Sequence, residues 1–256
     1  MMFRQTLLLL AGLLALFSQP AFSQSEDLNQ LIPSLMSQAN IPGLSIAVLD
    51  GGRVTYSNAF GLRSNDSGSP VDDQTVFAAA SLSKPVFAFA VMQLVEEGKF
   101  DLDKPLAEYL EYDDLKHDPR YRQITARMVL SHTSGLPNWR SGERLELAGD
   151  PGERFRYSGE GFVFLQKVIE RITGQSLETL AQQKVFKPLS MERTSYVWQK
   201  NFEADFAIPH NDLGVTQSKT KPAEGNAAYS LQTTAADYTK FVIALMNGIG
   251  MRKIAI

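Results

Sequence analysis

The sequence contains no cysteine, and histidine is scarce. Without cysteine there can be no disulfide bond, no cysteine nucleophile, no cysteine metal site and no lipid-modified N-terminal cysteine. The three histidines, His117, His132 and His210, do not fit the spacing of any metal-binding motif. We therefore expect a protein without a metal ion and without a cofactor.

A surplus of positive charge is also missing. The formal net charge is −3, so nothing favours binding to nucleic acid or to an anionic membrane surface. Repeats and low-complexity segments are absent, and 44% of the 256 residues are hydrophobic. This composition is ordinary for a globular protein and provides for one large domain or two small ones.

Long apolar runs are limited to one, at residues 7–17, directly after Arg4. The run is too short to span a bilayer comfortably. It is followed by "SQPAFSQSED", in which Ala21 and Ser23 fit the small-residue rule for cleavage after Ser23. We predict a signal peptide over residues 1–23, a periplasmic or secreted mature protein from Gln24, and no stable membrane span after cleavage. The alternative is a membrane anchor.

The pattern along the rest of the chain predicts an α+β protein. Two β-rich runs around "DGG" predict a hairpin over residues 44–61. The apolar stretch that begins at Ala78 predicts a helix, apolar on all sides and therefore buried, up to Val95. Thr234 and Asp237 are typical of the start of a last helix. Other helices are predicted over residues 28–39, 106–110, 125–130, 161–173 and 177–185.

Lys84 stands in the first turn of this buried helix, next to Pro85, which favours a first-turn position. Apolar surroundings and the positive end of the helix dipole both disfavour a charged ammonium there. We therefore expect Lys84 to be able to take a proton from a neighbouring hydroxyl. Ser81, three residues earlier, lies on the same helix face. The pair is a candidate nucleophile with its base.

A structural interpretation of the same pair stays open. Lys84 could extend its amine to the surface while Ser81 only caps the helix. The pattern S-x-x-K cannot decide, because Ser218 and Lys221 repeat it in the polar stretch "TQSKTKPAEG". That copy has no buried helix behind it, and we interpret it as a chance match.

Several segments, in order along the chain, resemble the serine β-lactamase and penicillin-binding-protein superfamily. The similarity is to the class C-like branch, which includes esterases and D-amino-acid peptidases, and it covers residues 40–247. The matching segments are "IPGLSIAVLDGGRVTYSNAFG", "TVFAAASLSKPVFAFAVMQLVEEGKFDLDKPLAEYL", "ITARMVLSHTSGLP", "PGERFRYSGEGFVFLQKVIERITGQSLE", "PLSMERTSY" and "AAYSLQTTAADYTKFV". The resemblance implies a β-lactamase/transpeptidase-like fold, with a helical domain and an antiparallel sheet.

The resemblance also implies roles for individual residues. Ser81 would be the acylated nucleophile, Lys84 its proton acceptor, and Tyr157 the tyrosine that assists proton transfer. The literal Tyr-x-Asn match at residues 56–58 precedes the serine and is rejected. At the matching position Gly159 replaces the asparagine whose amide, in relatives, contacts the substrate's side-chain carbonyl. This change weakens the case for β-lactams and peptides and favours ester-like substrates.

Two histidines are further candidates for the substrate pocket, together with Gly159. His132 in "SHTSGLP" is expected to shape a loop beside the cleft. A triad with Ser81 is the alternative, but no carboxylate is placed to orient the ring. His210 in "AIPHND" either lines the pocket or only forms part of a loop. Deacylation would depend on Tyr157 and Lys84, since no glutamate matches a class A base.

The third motif of the family, Lys-Thr-Gly or His-x-Gly on a strand after the last helix, has no counterpart in "MNGIGMRKIAI". We therefore expect a domain over residues 24–256 that is truncated before this motif, with an incomplete sheet reduced to a two-stranded hairpin. In relatives that strand supplies one oxyanion-hole donor, the other being the Ser81 N–H. Loss of one donor costs about 10²–10³ in turnover.

These observations predict a β-lactamase-related serine hydrolase that acts through an acyl-enzyme on a β-lactam, a D-amino-acid peptide or a small ester. Its partners would be small molecules or peptidoglycan-type peptides, and no nucleic acid. The alternative is a non-catalytic truncated remnant, or a binding protein similar to penicillin-binding proteins. The sequence does not indicate the oligomeric state.

Overall fold

The structure, a computed structural model, describes the backbone of residues 22–249 and the side chains of residues 27–249. Nearly all of the predicted signal peptide lies outside the described residues, as do residues 250–256. Six helices and five strands are found in the described part. The helices are α1 (Phe22–Gln38), α2 (Ser83–Glu96), α3 (Ala126–Leu130), α4 (Gly159–Thr173), α5 (Leu177–Ala181) and α6 (Ala235–Met246). The strands are β1 (Gly43–Asp50), β2 (Arg53–Ser64), β3 (Ser69–Pro70), β4 (Phe77–Ala80) and β5 (Leu231–Thr233).

The predicted N-terminal hairpin is confirmed. Strands β1 and β2 pair antiparallel, and the turn between them consists of Gly51 and Gly52 at φ of 55° and 74°. Two consecutive left-handed residues give the strands the twist that a tight hairpin needs, and glycine adopts this conformation without strain. In the sheet order β1-β2-β3, β1 lies at the edge. Tyr56, from the rejected Tyr-x-Asn match, donates from its hydroxyl to Asn29 Oδ1 in α1 at 2.6 Å.

The apolar stretch that begins at Ala78 is not helical at its start, and helix α2 begins at Ser83, which puts Lys84 in the first turn as predicted. Residues 77–80 form β4, which pairs antiparallel with β5 through Phe77↔Thr233 and Ala78↔Gln232. The expectation that only a two-stranded hairpin is present is therefore also wrong, because the described residues form a three-stranded and a two-stranded sheet. Short apolar runs do not distinguish a strand from a buried helix, and the partner strand lies about 150 residues further along the chain.

The central helix is buried, as its composition predicted. The rings of Phe87 and Phe162 meet edge to face at 6.3 Å, which joins α2 to α4. Phe89 and Phe241 do the same at 5.6 Å and join α2 to α6. Each buried phenylalanine stabilises the fold by about 1.5–3 kcal/mol. Helix α2 is thus held from two sides, which fixes the turn that precedes it.

The starts of four helices, α3 to α6, follow from hydroxyl caps. Thr125 Oγ1 accepts from Met128 N at the start of α3, and Thr234 Oγ1 accepts from Asp237 N at the start of α6, as predicted. Ser158 caps α4, which begins two residues before the predicted residue 161. Such caps satisfy backbone N–H groups that the first helical turn leaves unpaired. The caps therefore set where α4 and α6 begin beside the candidate site.

Two of the remaining predicted helices are not continuous α-helices. The segment predicted over residues 106–110 is a 3₁₀ turn, Leu106–Glu108. The segment predicted over residues 177–185 is α5 followed by a π-helical turn, Gln182–Phe186. Further 3₁₀ turns are Asp113–Leu115, Pro119–Gln123 and Lys200–Phe202. Within residues 22–249, none of the helices combines the length and the apolar character that crossing a bilayer requires.

Candidate active site

Ser81 occupies a strained turn between β4 and α2. The residue before it, Ala80, has φ of 45°, a left-handed conformation that costs a residue with a Cβ about 1–3 kcal/mol. The turn is fixed by Ser83, whose hydroxyl donates to Ala80 O at 2.6 Å and accepts from Leu231 N at 3.0 Å. Ser81 itself is exposed. The fold therefore presents the Ser81 hydroxyl to solvent on a rigid support.

Lys84 is buried, with 5% of its surface exposed. Its Nζ donates to Ala228 O at 2.7 Å and to Ser81 Oγ at 3.2 Å. The amine therefore does not extend to the surface, and no ion pair of Lys84 is found within residues 27–249. Helix α2 is capped by Leu82 without a side-chain hydrogen bond, so Ser81 does not act as the cap. The structural interpretation of the serine–lysine pair is not supported.

Tyr157 stands directly before the cap of α4 and faces the same pair. The Lys84 Nζ lies 4.8 Å from the centre of the Tyr157 ring. Burial by itself raises the pKa of Tyr157, but hydrogen bonds with Lys84 and Ser81 and the charge of Lys84 together lower the pKa below its ordinary value. We call Ser81, Lys84 and Tyr157 the serine centre. In it, two groups able to exchange protons flank one hydroxyl.

His132 lies behind Tyr157 and does not take part in a triad. Its ring lies 4.4 Å from that of Tyr157, and its Nδ1 accepts from Ser158 N at 3.1 Å. Burial first, and the charge of Lys84 second, lower the pKa of His132. The ring is therefore neutral at pH 7 with its proton on Nε2. Its carbonyl accepts from Arg156 N at 2.7 Å, so the histidine shapes the loop beside Tyr157, as expected.

Gly159 begins α4 beneath an aromatic side chain. A Cβ at this position would lie 2.7 Å from Cη2 of Trp139 and 2.8 Å from the backbone oxygen of Asn138. The missing side chain therefore leaves room for the indole and for the loop that carries it. Sequence reasoning missed Trp139, although it is one of only two tryptophans and follows the "SHTSGLP" motif by two residues.

The structure does not bring His210 to the serine centre. Its Nε2 accepts from Asn65 N at 3.2 Å, in the loop after β2. An isolated β-bridge also joins His210 to Thr216. These contacts place His210 beside the loop after β2, and a role of His210 in the pocket stays a prediction.

The second S-x-x-K copy is built differently. Lys221 Nζ pairs with Glu203 Oε2 at 2.7 Å and lies 5.3 Å from the ring centre of Trp198. Lys219 Nζ pairs with the other oxygen of Glu203 at 2.8 Å. A lysine neutralised by a carboxylate is a poor base, and no helix begins at Ser218. The interpretation of this copy as a chance match agrees with the geometry.

Comparison with known proteins gives a family match over most of the chain. The family described as "Beta-lactamase" matches residues 28–254. Esterase EstB of Burkholderia gladioli is 28% identical over 229 residues, covering 77% of this chain and 57% of that protein. The chain spans between 43% and 57% of the length of the curated relatives that it matches.

Solved structures give the same result at the level of the fold. A class C β-lactamase superimposes with a TM-score of 0.80 at 25% identity, covering 91% of this chain and 69% of that one. The D-alanine carboxypeptidase AmpC from Burkholderia cenocepacia superimposes with a TM-score of 0.73 at 26% identity, covering 90% and 65%. The expected β-lactamase/transpeptidase-like fold is confirmed by these likenesses.

Proposed function

The chain belongs to the beta-lactamase family, and we propose that it is a serine hydrolase that cleaves an ester or amide through an acyl-enzyme at Ser81. The observation that carries the proposal is the buried Lys84 amine, 3.2 Å from the exposed Ser81 hydroxyl. A lysine held in hydrogen-bond reach of a hydroxyl, without a carboxylate partner in the described part of the chain, is arranged to accept the hydroxyl proton. The residue roles below are part of this proposal.

In the first half of the reaction, Ser81 Oγ attacks the carbonyl carbon and its proton passes to the Lys84 amine in its uncharged form. Tyr157 then delivers a proton to the departing alcohol or amine, and Lys84 restores the tyrosine's proton. This relay requires both groups to lie close to the Ser81 hydroxyl. The Lys84 amine lies 3.2 Å from Ser81 Oγ, and the centre of the Tyr157 ring lies 4.8 Å from that amine. In the second half, water releases the acyl group and the same two residues move its proton in the opposite direction.

The proposed substrate class rests on the relatives and on the surroundings of Gly159. The names of the relatives include an esterase, a β-lactamase and a D-alanine carboxypeptidase. At position 159 the chain offers no side chain to a substrate, and an indole lies in that place instead. The indole has no amide to bind a peptide-like carbonyl, so we favour esters over β-lactams and D-amino-acid peptides. A mature protein working in the periplasm or outside the cell belongs to the same proposal.

A second candidate is a binding protein that forms an acyl-enzyme slowly or not at all. It is favoured by one observation, the absence of a side chain at Gly159, where a Cβ would lie 2.7 Å from Cη2 of Trp139 and 2.8 Å from the backbone oxygen of Asn138. This position therefore offers a bound substrate no amide to hold it during the reaction.

Turnover separates the two candidates. The chain is incubated with p-nitrophenyl acetate and, in a second series, with the chromogenic β-lactam nitrocefin. For a hydrolase, product forms over many turnovers, activity disappears in Ser81→Ala, and it persists in the matched control Ser218→Ala. No product, or product that forms slowly and stops at one equivalent, favours the binding protein. Turnover that survives in Ser81→Ala contradicts the assignment of the nucleophile.

A further inference from the structure

A buried glutamine in α4 binds the backbone segment that leads to the acceptor of the Lys84 amine. Gln166 Oε1 accepts from Ala227 N at 2.8 Å, and Gln166 Nε2 donates to Gly225 O at 2.9 Å. Ala228 follows directly, and its carbonyl accepts from Lys84 Nζ at 2.7 Å. Only 9% of the Gln166 surface is exposed. One side chain of α4 therefore holds the backbone to which the Lys84 amine is bound.

This segment depends on side chains for its hydrogen bonds. Residues 223–230 lie in neither a helix nor a strand. Ala227 is 0% exposed, and a buried backbone N–H without an acceptor is unfavourable, so its bond to Gln166 limits where the segment can lie. Asn226 Oδ1 accepts from Ala228 N at 2.9 Å within the turn itself. The position of Ala228 is thus set by its own turn and by Gln166.

The amide of Gln166 is itself fixed in one orientation. Its Nε2 also donates to Glu170 Oε1 at 3.1 Å, one turn later in α4. The same carboxylate oxygen accepts from Leu177 N at 2.8 Å, at the start of α5. An amide oxygen only accepts and an amide nitrogen only donates, so the N–H of Ala227 and the carbonyl of Gly225 select this orientation.

The orientation of the Lys84 amine matters for the proposed chemistry. An uncharged amine has N–H bonds and one lone pair, and it accepts a proton only where the lone pair faces the donor. When one N–H donates to Ala228 O, the lone pair is turned away from that carbonyl and is left for the Ser81 hydroxyl, 3.2 Å away. A displacement of Ala228 O would therefore turn or withdraw the amine.

We propose that Gln166 is a positioning residue for Lys84 and acts through the backbone of residues 225–228. This inference rests on the proposed hydrolase function of Ser81 and extends it. Among the described residues, the hydrogen bonds of Gln166 go to residues 170, 225 and 227 and not to the serine centre, so it is not a catalytic residue. Its loss should slow the proton transfer that accompanies acylation.

The first test compares acylation in two matched glutamine variants. Gln166→Met keeps the length of the side chain and removes its hydrogen bonds. Gln93→Met is the control, because Gln93 Nε2 also joins a helix to a backbone carbonyl, that of Lys184, at 3.0 Å. Release of p-nitrophenol is followed in a single turnover, with the enzyme in excess over p-nitrophenyl acetate. The acylation rate should fall about 10- to 100-fold in Gln166→Met and stay within about twofold in Gln93→Met.

Gln166→Ala is the second variant, in case the methionine variant does not fold. Gln166 lines an open cleft of about 770 Å³ between α4 and the start of α5, from which water can reach the freed groups of Gly225 and Ala227. Such a water is not tied to α4, so acylation should slow in this variant too. Rates are compared for the folded fraction, which urea denaturation gives. Acylation as fast as in the original protein would overturn the proposal.

The second test observes Lys84 itself and needs no turnover. In protein grown with lysine that carries ¹³C at Cε, the Lys84 signal is the one that Lys84→Met lacks. A side chain held in one rotamer has two different Hε chemical shifts, and exchange between rotamers averages them. The separation of these shifts should shrink in Gln166→Met and persist in Gln93→Met. An unchanged separation in Gln166→Met would overturn the positioning role, even if acylation had slowed.

Together the tests separate this inference from the hydrolase proposal. Release of p-nitrophenol that continues undiminished in Ser81→Ala contradicts the hydrolase proposal, while the Lys84 signal still shows whether Gln166 holds the lysine. Release that requires Ser81, combined with a rate and a Lys84 signal that are the same in Gln166→Met as in the original protein, contradicts the positioning role alone.

Discussion

Lys84 directs a buried amine at the hydroxyl of Ser81 across 3.2 Å, from the first turn of helix α2. The second partner of this amine, Ala228 O, lies 2.7 Å away. The two hydrogen bonds hold the amine beside the serine, and only 5% of the Lys84 surface is exposed. The predictions below follow from this pair and from the groups packed around it.

Replacing the lysine should remove acylation without unfolding the protein. Lys84→Met keeps the length and apolar stem of the side chain but leaves Ala228 O without its donor, which costs about 1–3 kcal/mol of stability. Because Ser81 loses its proton acceptor, the rate of acylation should fall by about 10²–10⁴-fold. Stopped-flow release of p-nitrophenol and thermal denaturation measure the two effects. The same change at Lys221 is the control, and equal rates in both variants would contradict the role of Lys84.

Tyr157 should titrate below the ordinary pKa of a tyrosine because of its neighbours. Its pKa lies below the ordinary value of about 10, and the hydrogen bond and charge of Lys84 are causes of this lowering. The phenolate absorbance of the protein minus that of Tyr157→Phe should therefore rise at a pH below 10. In a Lys84→Met background the midpoint should move upward, since the burial that raises the pKa is left. A titration midpoint that is the same with and without the Lys84→Met substitution would show that the two residues are not coupled.

The same shift links Tyr157 to stability. A lowered folded-state pKa contributes stability that is fully present above the unfolded value of about 10 and is lost as the pH falls through the folded value. The difference in stability between the protein and Tyr157→Phe should therefore shift in favour of the protein only in alkaline solution. Urea denaturation on both sides of this window measures the difference.

His132 should matter for stability and little for acylation. His132→Ala removes the acceptor of the Ser158 N–H and the ring contact with Tyr157, at a cost of about 1–3 kcal/mol. Because the pKa of His132 is lower in the folded protein, the unfolded chain binds a proton at a higher pH than the folded protein does. The stability of the protein should therefore decline as the pH falls from about 6.5 through the folded value. This decline should be steeper than that of the alanine variant. Acylation should stay within tenfold of the original rate at neutral pH. A loss as large as that of Lys84→Met would restore the triad interpretation.

Gly159 should not tolerate even a methyl group. Gly159→Ala would bring a Cβ to 2.8 Å from Asn138 O, a backbone atom that hydrogen bonds hold in place. Overpacking of this kind destabilises by about 1–3 kcal/mol. Gly142→Ala is the matched control, because its Cβ would meet nothing within 4 Å. Equal denaturation midpoints in the two variants would contradict the close approach of the loop to α4.

The sequence was sufficient where local chemistry decides the structure. Paired glycines predicted the hairpin turn, Thr234 predicted the start of α6, and the apolar run around Lys84 predicted its burial. It was insufficient where distant segments meet. Strand β4 forms only because β5 pairs with it, and four apolar residues show no period of their own. Trp139 reaches Gly159 only through a loop anchored by Arg140, and no local pattern indicates that contact.

The most direct test of the serine centre is the site of the covalent adduct. The chain is incubated with a fluorescent β-lactam or an activated aryl ester, quenched in acid, digested and analysed by mass spectrometry. We predict one acyl group, located on Ser81 in the original protein and in Ser218→Ala, and absent in Ser81→Ala and Lys84→Met. An acyl group on any other residue, or undiminished labelling after Ser81→Ala, would contradict the proposed chemistry.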